Sequence, residues 1–194
     1  MKSRVFWNSG VLGSISAAAL TLGVVTSSAE DWPQWRGPNR NGVSQETGWL
    51  DRWPEAGPPI AWKASVGLGF SPVVVAQGRA FTMGHVEEDD CVVCLNADTG
   101  KEIWRHRYPA DLGDKFFEGG TTGTPTVDGD RVFTLNRWGD CFCFDAASGK
   151  IVWSKSVHKE LGPRVPSWGF SGSPTVFREL VLLNVGDAGL ALNK

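Results

Sequence analysis

Beyond residue 70 the apolar residues fall in short runs, rich in Val, Phe and Leu, and each run is closed by Gly, Asn, Asp or Pro. Short β-branched or aromatic runs bounded by such residues read as strands joined by tight turns. "VVVAQGRAFTM" (73–83) is one strand, a turn and a second strand, and "TVDGDRVFTL" (126–135) repeats that order. "CVVCLNADTGKEIWRHRY" (91–108) and "DCFCFDAASGKIVWSKSV" (140–157) each supply two more strands around a Thr-Gly-Lys or Ser-Gly-Lys turn, whose Gly takes positive φ.

These strands recur as a unit. "NADTGKEIW" (96–104) returns as "DAASGKIVW" (145–153), and Asn96, Asp145 and Asn193 lie 49 and 48 residues apart. Ser71-Pro72, Thr124-Pro125 and Ser173-Pro174 open the successive units, which span about 70–108, 123–157 and 172–194. Four short strands repeated every 40 to 50 residues or so predict an all-β chain: a β-propeller of four-stranded antiparallel blades. Trp104 and Trp153 on the fourth strands, with Gly100 and Gly149 in the preceding turns, are the expected docking residues between blades, since one Trp buries roughly 200 Å². Trp62, in "PPIAWKASVG", has the same surroundings and is expected on the fourth strand of a further blade. The third copy of the phrase stops at "LALNK", so the chain reads as about two and a half blades of a longer propeller; a short protein that closes its ring by oligomerising is the other reading.

Three parts follow: a secretory leader over 1–29, a Trp/Pro-rich segment over 30–59, and the partial propeller over 60–194. Lys2 and Arg4 precede the apolar stretch "VLGSISAAALTLGVV" (11–25), and small residues end at Ala29. That stretch falls short of the roughly 18 residues that span a bilayer, so cleavage, a periplasmic or extracellular location and no membrane span are expected. A net charge of −2 leaves no electrostatic footprint for nucleic acid. Ten Trp and 24 Gly suit short strands, tight turns and large rings between sheets.

The candidate chemistry is sparse. Cys91, Cys94, Cys141 and Cys143 sit on strands; buried thiols, a disulfide and a metal site are all open readings, with buried thiols favoured because Cys94 and Cys143 hold equivalent positions. "HVEEDD" (85–90) could hold Ca²⁺, but a solvated acidic loop is the commoner use of such a run. Arg137 and Asp140 read as a turn with Gly139 at positive φ, and His106 and His158 read as surface residues. The insertions 109–123 and 158–172 lead back toward the channel, which makes Phe116, Phe117, Glu118, Arg164, Trp168 and Phe170 the candidate ligand or partner surface.

"ADTGKEIW" and "AASGKIVW" resemble the repeat of PQQ-type (pyrroloquinoline quinone) propellers, and "DWPQWRGPNRNGVS" (31–44) is similar to the mature start of exported bacterial members. The Gly-His and Trp-Asp marks of WD40 repeats are absent. The resemblance implies one of two functions. One is a scaffold holding other exported or envelope proteins, as the propeller lipoprotein of the outer-membrane assembly machine does. The other is a quinoprotein alcohol dehydrogenase with PQQ and Ca²⁺ in its channel. No residue matches that branch's calcium or base positions and no Cys-Cys dipeptide occurs, so a binding scaffold without catalytic residues is the expected function.

Overall fold

The computed structural model describes residues 29–48, 50–162 and 164–194; the expected leader lies outside the described residues except for Ala29. Three antiparallel sheets follow one another along the chain. The first holds β1 (Val74–Ala76), β2 (Arg79–Val86), β3 (Asp89–Asn96) and β4 (Glu102–Pro109). The second holds β5 (Thr126–Asp128), β6 (Arg131–Leu135), β7 (Asp140–Asp145) and β8 (Ile151–Ser156), and the third β9 (Thr175–Phe177), β10 (Leu180–Val185) and β11 (Ala188–Asn193). Sequence neighbours are sheet neighbours throughout, and β1, β5 and β9 contact one another in turn. These are successive propeller blades with their first strands innermost.

The core lies between blades. Phe81, Met83, Val92 and Cys94 of the first blade meet Val132, Phe144 and Ala146 of the second, while Phe133, Leu135, Cys141 and Cys143 meet Val181, Leu183 and Val185 of the third. Period-two alternation gives each blade two apolar faces, one toward each neighbour. The four cysteines are free thiols with 0% exposure, and burial pushes Cys94 and Cys141 up to about 12 and Cys143 to about 11.

The repeated phrase has a local physical cause. The Asn96 side chain accepts hydrogen bonds from the Asp98 and Thr99 amides, and Asp145 accepts from the Ser148 amide and hydroxyl. The turn then needs Gly100 and Gly149 at φ +68° and +69°. A register shift follows at the same place in both blades, opposite Cys94/Leu95 and Cys143/Phe144. This bulge pairs Trp104 with Cys94 and Trp153 with Cys143. Trp104 Nε1 donates to Ala146 O at 3.0 Å, with its ring against Gly149; Trp62 Nε1 donates to Ala97 O at 2.9 Å, with its ring against Gly100. Trp62 nevertheless lies on no strand, contrary to expectation, because no neighbouring strand among the described residues completes a ladder for it.

Residues 31–43 form a strap across the inner strands. Trp32 pairs with Val75 on β1, Val127 on β5 donates to Pro33 O at 2.8 Å, and Arg40 donates to Val176 O on β9 at 2.7 Å.

His106, expected at the surface, is half-buried on β4, with ring centroids 5.1 Å from Phe144 and 5.6 Å from Phe142. Burial pushes its imidazole below the ordinary 6.5. Between that lowered value and 6.5 the unfolded chain binds more protons, so stability rises with pH through this window and is lost as pH falls below 6.5. The melting temperature should therefore drop on acidification more steeply for the native chain than for His106→Phe; parallel profiles would contradict the assignment.

Candidate functional site

The up-and-down strand order puts the β6–β7 turn and the connections β4–β5 and β8–β9 on one face of the blades. Arg137 lies in that turn, as expected, with Gly139 at φ +94°. It is also the centre of the face, which its sequence position did not announce. The side chain is 3% exposed, and its Nη1 donates to Gly113 O at 2.7 Å and to Leu112 O at 3.4 Å, while Nη2 donates to Trp168 O at 3.3 Å. One guanidinium thus ties the 109–123 connection to 158–172. It lies 4.9 Å from the Phe117 ring centroid and 5.2 Å from that of Trp138. Gly113 and Gly169, both at positive φ, face Arg137 so closely that a Cβ at either would collide with it.

On these two connections Phe116 and Trp168 meet at a 33° tilt with centroids 4.5 Å apart, and stay 45% and 60% exposed. Phe117 is 6.3 Å from Trp168 and 5.6 Å from Phe70, which leads toward the channel. The expected surface divides accordingly. Phe116, Phe117 and Trp168 come together, and Glu118 is exposed on the same connection. Phe170 is only 2% exposed and packs in the layer between the second and third blades, so it is a wall and not a contact residue. Arg164 lies elsewhere, lining a separate hollow with Pro166, Ser167 and Asp187. The 158–172 connection also contains one unanticipated turn of helix, α1 (Val157–Leu161), carrying His158.

The acidic run divides: Glu87 and Glu88 form an exposed turn, as expected of a solvated loop, while its two ends are buried. Residues 85–90 form the β2–β3 hairpin, with His85 5% and Asp90 1% exposed. Asp90 Oδ1 lies 2.9 Å from His85 Nδ1, whose Nε2 faces Glu87 O at 2.7 Å, and Asp90 Oδ2 accepts from Asn136 Nδ2 at 3.1 Å, which couples the first blade to the second. Burial nonetheless pushes the Asp90 carboxyl above its ordinary range. Glu87 and Asp89 both hold Arg107 at 3.0 Å. One oxygen of each is held by that guanidinium, and among the described residues no three His, Cys, Asp or Glu gather where a metal ion could sit. This hairpin is therefore committed to contacts within the protein and does not form a Ca²⁺ site.

A hollow of about 360 Å³ opens at the inner ends of the blades, lined by Trp35, Phe70, Thr122, Thr124, Ser171 and Ser173 among others. Sequence reasoning missed Trp35 and Phe70. The recurring Ser-Pro or Thr-Pro openings of the three units were the signal for this place.

Comparison with known proteins bears on the fold and the family. A family model described as outer membrane protein assembly factor BamB matches residues 46–122 and 88–193. A europium-containing methanol dehydrogenase aligns with a TM-score of 0.50 and 18% identity, over 66% of this chain and 22% of its own. A quinohemoprotein alcohol dehydrogenase from Pseudomonas putida HK5 gives 0.46 and 21%, over 64% and 18% respectively. BamB from Moraxella catarrhalis gives 0.38 and 15%, over 62% and 46%. None of the curated proteins compared matches the chain. The chain thus spans less than a quarter of either dehydrogenase.

Proposed function

Because the chain belongs to the PQQ-like repeat family of the outer membrane protein assembly factor BamB, we propose that it is an exported propeller whose Phe116–Trp168 face binds other envelope proteins. The observation that carries this reading is an exposed aromatic pair on two connections that the buried Arg137 ties together through Gly113 O and Trp168 O. Trp and Arg are enriched at the energetic centres of protein interfaces and Phe in their composition, and rings fixed in place before binding lose less entropy when a partner arrives. Among the described residues no helix is long and apolar enough to cross a membrane, which is compatible with export to the periplasm or beyond. The contact of Trp104 with the second blade, and of Trp62 with the first, would give such a platform rigidity.

Phe116→Ala combined with Trp168→Ala should lower capture of envelope proteins at least roughly tenfold, with little change in melting temperature because both rings are exposed. Equal capture by the double variant would sink the assignment. The dehydrogenase reading makes a different forecast: alcohol-dependent dye reduction on addition of PQQ and Ca²⁺. Turnover under those conditions would replace the scaffold reading.

A further inference from the structure

We propose that the hollow beneath Trp35 is a binding site for a neutral saccharide. Its place is the inner end of the blades, where the openings of the three units converge: Phe70 and Pro72 from the first, Thr122 and Thr124 from the second, Ser171, Gly172 and Ser173 from the third. No lining residue is charged. A carboxylate or phosphate ligand would find no cation there, whereas a neutral polyol needs none.

Aromatic rings and hydroxyls both line the hollow, and they match the two kinds of surface on a sugar ring. Trp35 and Phe70 are each 56% exposed. The C–H face of a pyranose carries slight positive charge and packs against the negative face of an aromatic ring. Beside Pro72 and Gly172, the other lining residues carry hydroxyls, whose adaptable donor and acceptor roles suit sugar hydroxyls; that of Thr122 donates to Phe170 O at 3.3 Å. Among the described residues Thr124 and Ser171 use their hydroxyls in no hydrogen bond, and Ser173 Oγ accepts from the Thr124 amide at 3.1 Å, which leaves its proton to donate. The volume is that of a small-molecule pocket, about 300 Å³ or more.

The strap holds Trp35 over this row. Gln34 Nε2 donates to Gly37 O at 3.1 Å, Arg40 Nε donates to Gln34 Oε1 at 3.1 Å, and Arg40 reaches β9 as described above. Gly37, at φ +77°, has no room for a Cβ beside the Trp32 ring. Trp35 is therefore fixed at its base while its ring stays open.

Calorimetry and saturation-transfer NMR on the full chain, with maltotriose, cellotriose, mannotriose and an anionic oligogalacturonate, test this directly. At least one neutral trisaccharide should bind, with transfer to its C–H protons. Trp35→Ala should weaken binding roughly tenfold or more, and Thr124→Val with Ser171→Ala should weaken it severalfold at an unchanged melting temperature. Failure of every neutral trisaccharide would overturn the proposal. So would binding insensitive to all of these variants, or equally strong binding of oligogalacturonate. Phe116→Ala with Trp168→Ala leaves this hollow intact, so the two proposed surfaces stand or fall separately.

Discussion

Replacing Trp104 with alanine should destabilise the chain by about 3–5 kcal/mol. The ring is 9% exposed and lies 6.0 Å from Phe81 on its own blade and 5.8 Å from Phe144 on the next. Removing it opens a cavity in the layer that joins the two blades. It also takes away the Nε1 donor that Ala146 O accepts. At roughly 2–4 °C per kcal/mol for a chain of this size, the melting temperature should fall by about 10 °C. Trp104→Phe refills most of the space and should cost less, about 1–2 kcal/mol for the carbonyl left unpaired. Gly149→Ala supplies the reciprocal test, since its Cβ would lie 2.5 Å from the same ring at φ +69°. Gly78→Ala has a similar φ of +71° but open space around it, so it should cost only the backbone strain of about 1 kcal/mol. A Trp104→Ala variant that melts with the native chain would refute the docking role.

Arg137→Met carries the second large effect. Methionine approximates the length of the side chain but donates no hydrogen bond. The carbonyls of Gly113 and Trp168 then lose a charged donor inside a buried turn. Each such bond contributes about 1.5–3 kcal/mol. Relief of the buried charge offsets part of this, so a net loss of about 2–4 kcal/mol is expected. The location of the damage is the sharper readout. Hydrogen exchange should accelerate in both 109–123 and 158–172, because one side chain joins them. Capture through Phe116 and Trp168 should fall as well, though neither residue has changed. Unaltered exchange in either connection would show that the guanidinium does not organise this face.

The strands and blades were legible in the sequence because their causes are local. Two-residue alternation in "VFTL" and "CFCF" fixes which side chains enter a layer between blades, and the Asn or Asp, Gly and Lys of the repeated phrase build their turn from atoms within a few residues. The bulge before Trp104 was not legible. It depends on how the β3 and β4 ladders align, and it decides that Trp104 pairs with Cys94. His85 and Asp90 read as part of an acidic run, yet their strand register buries both, and Asn136 from another blade completes the pair.

The site was legible only as a pair of long connections. Phe116, Phe117 and Trp168 could be placed near a common mouth because insertions in a propeller return to one end of the blades. Nothing within 109–123 or 158–172 says that Arg137 lies between them, nor that Phe170 faces inward. Arg40 reaches Val176 across 136 residues, and no window of sequence contains such a contact. The sequence by itself thus determined the repeat, the blade and the residues at its turns, since alternation and turn chemistry act over a few bonds. Only the tertiary structure decided the buried arginine, the strap and the hydroxyl-lined hollow, because each depends on how the twist of stacked blades brings distant loops together.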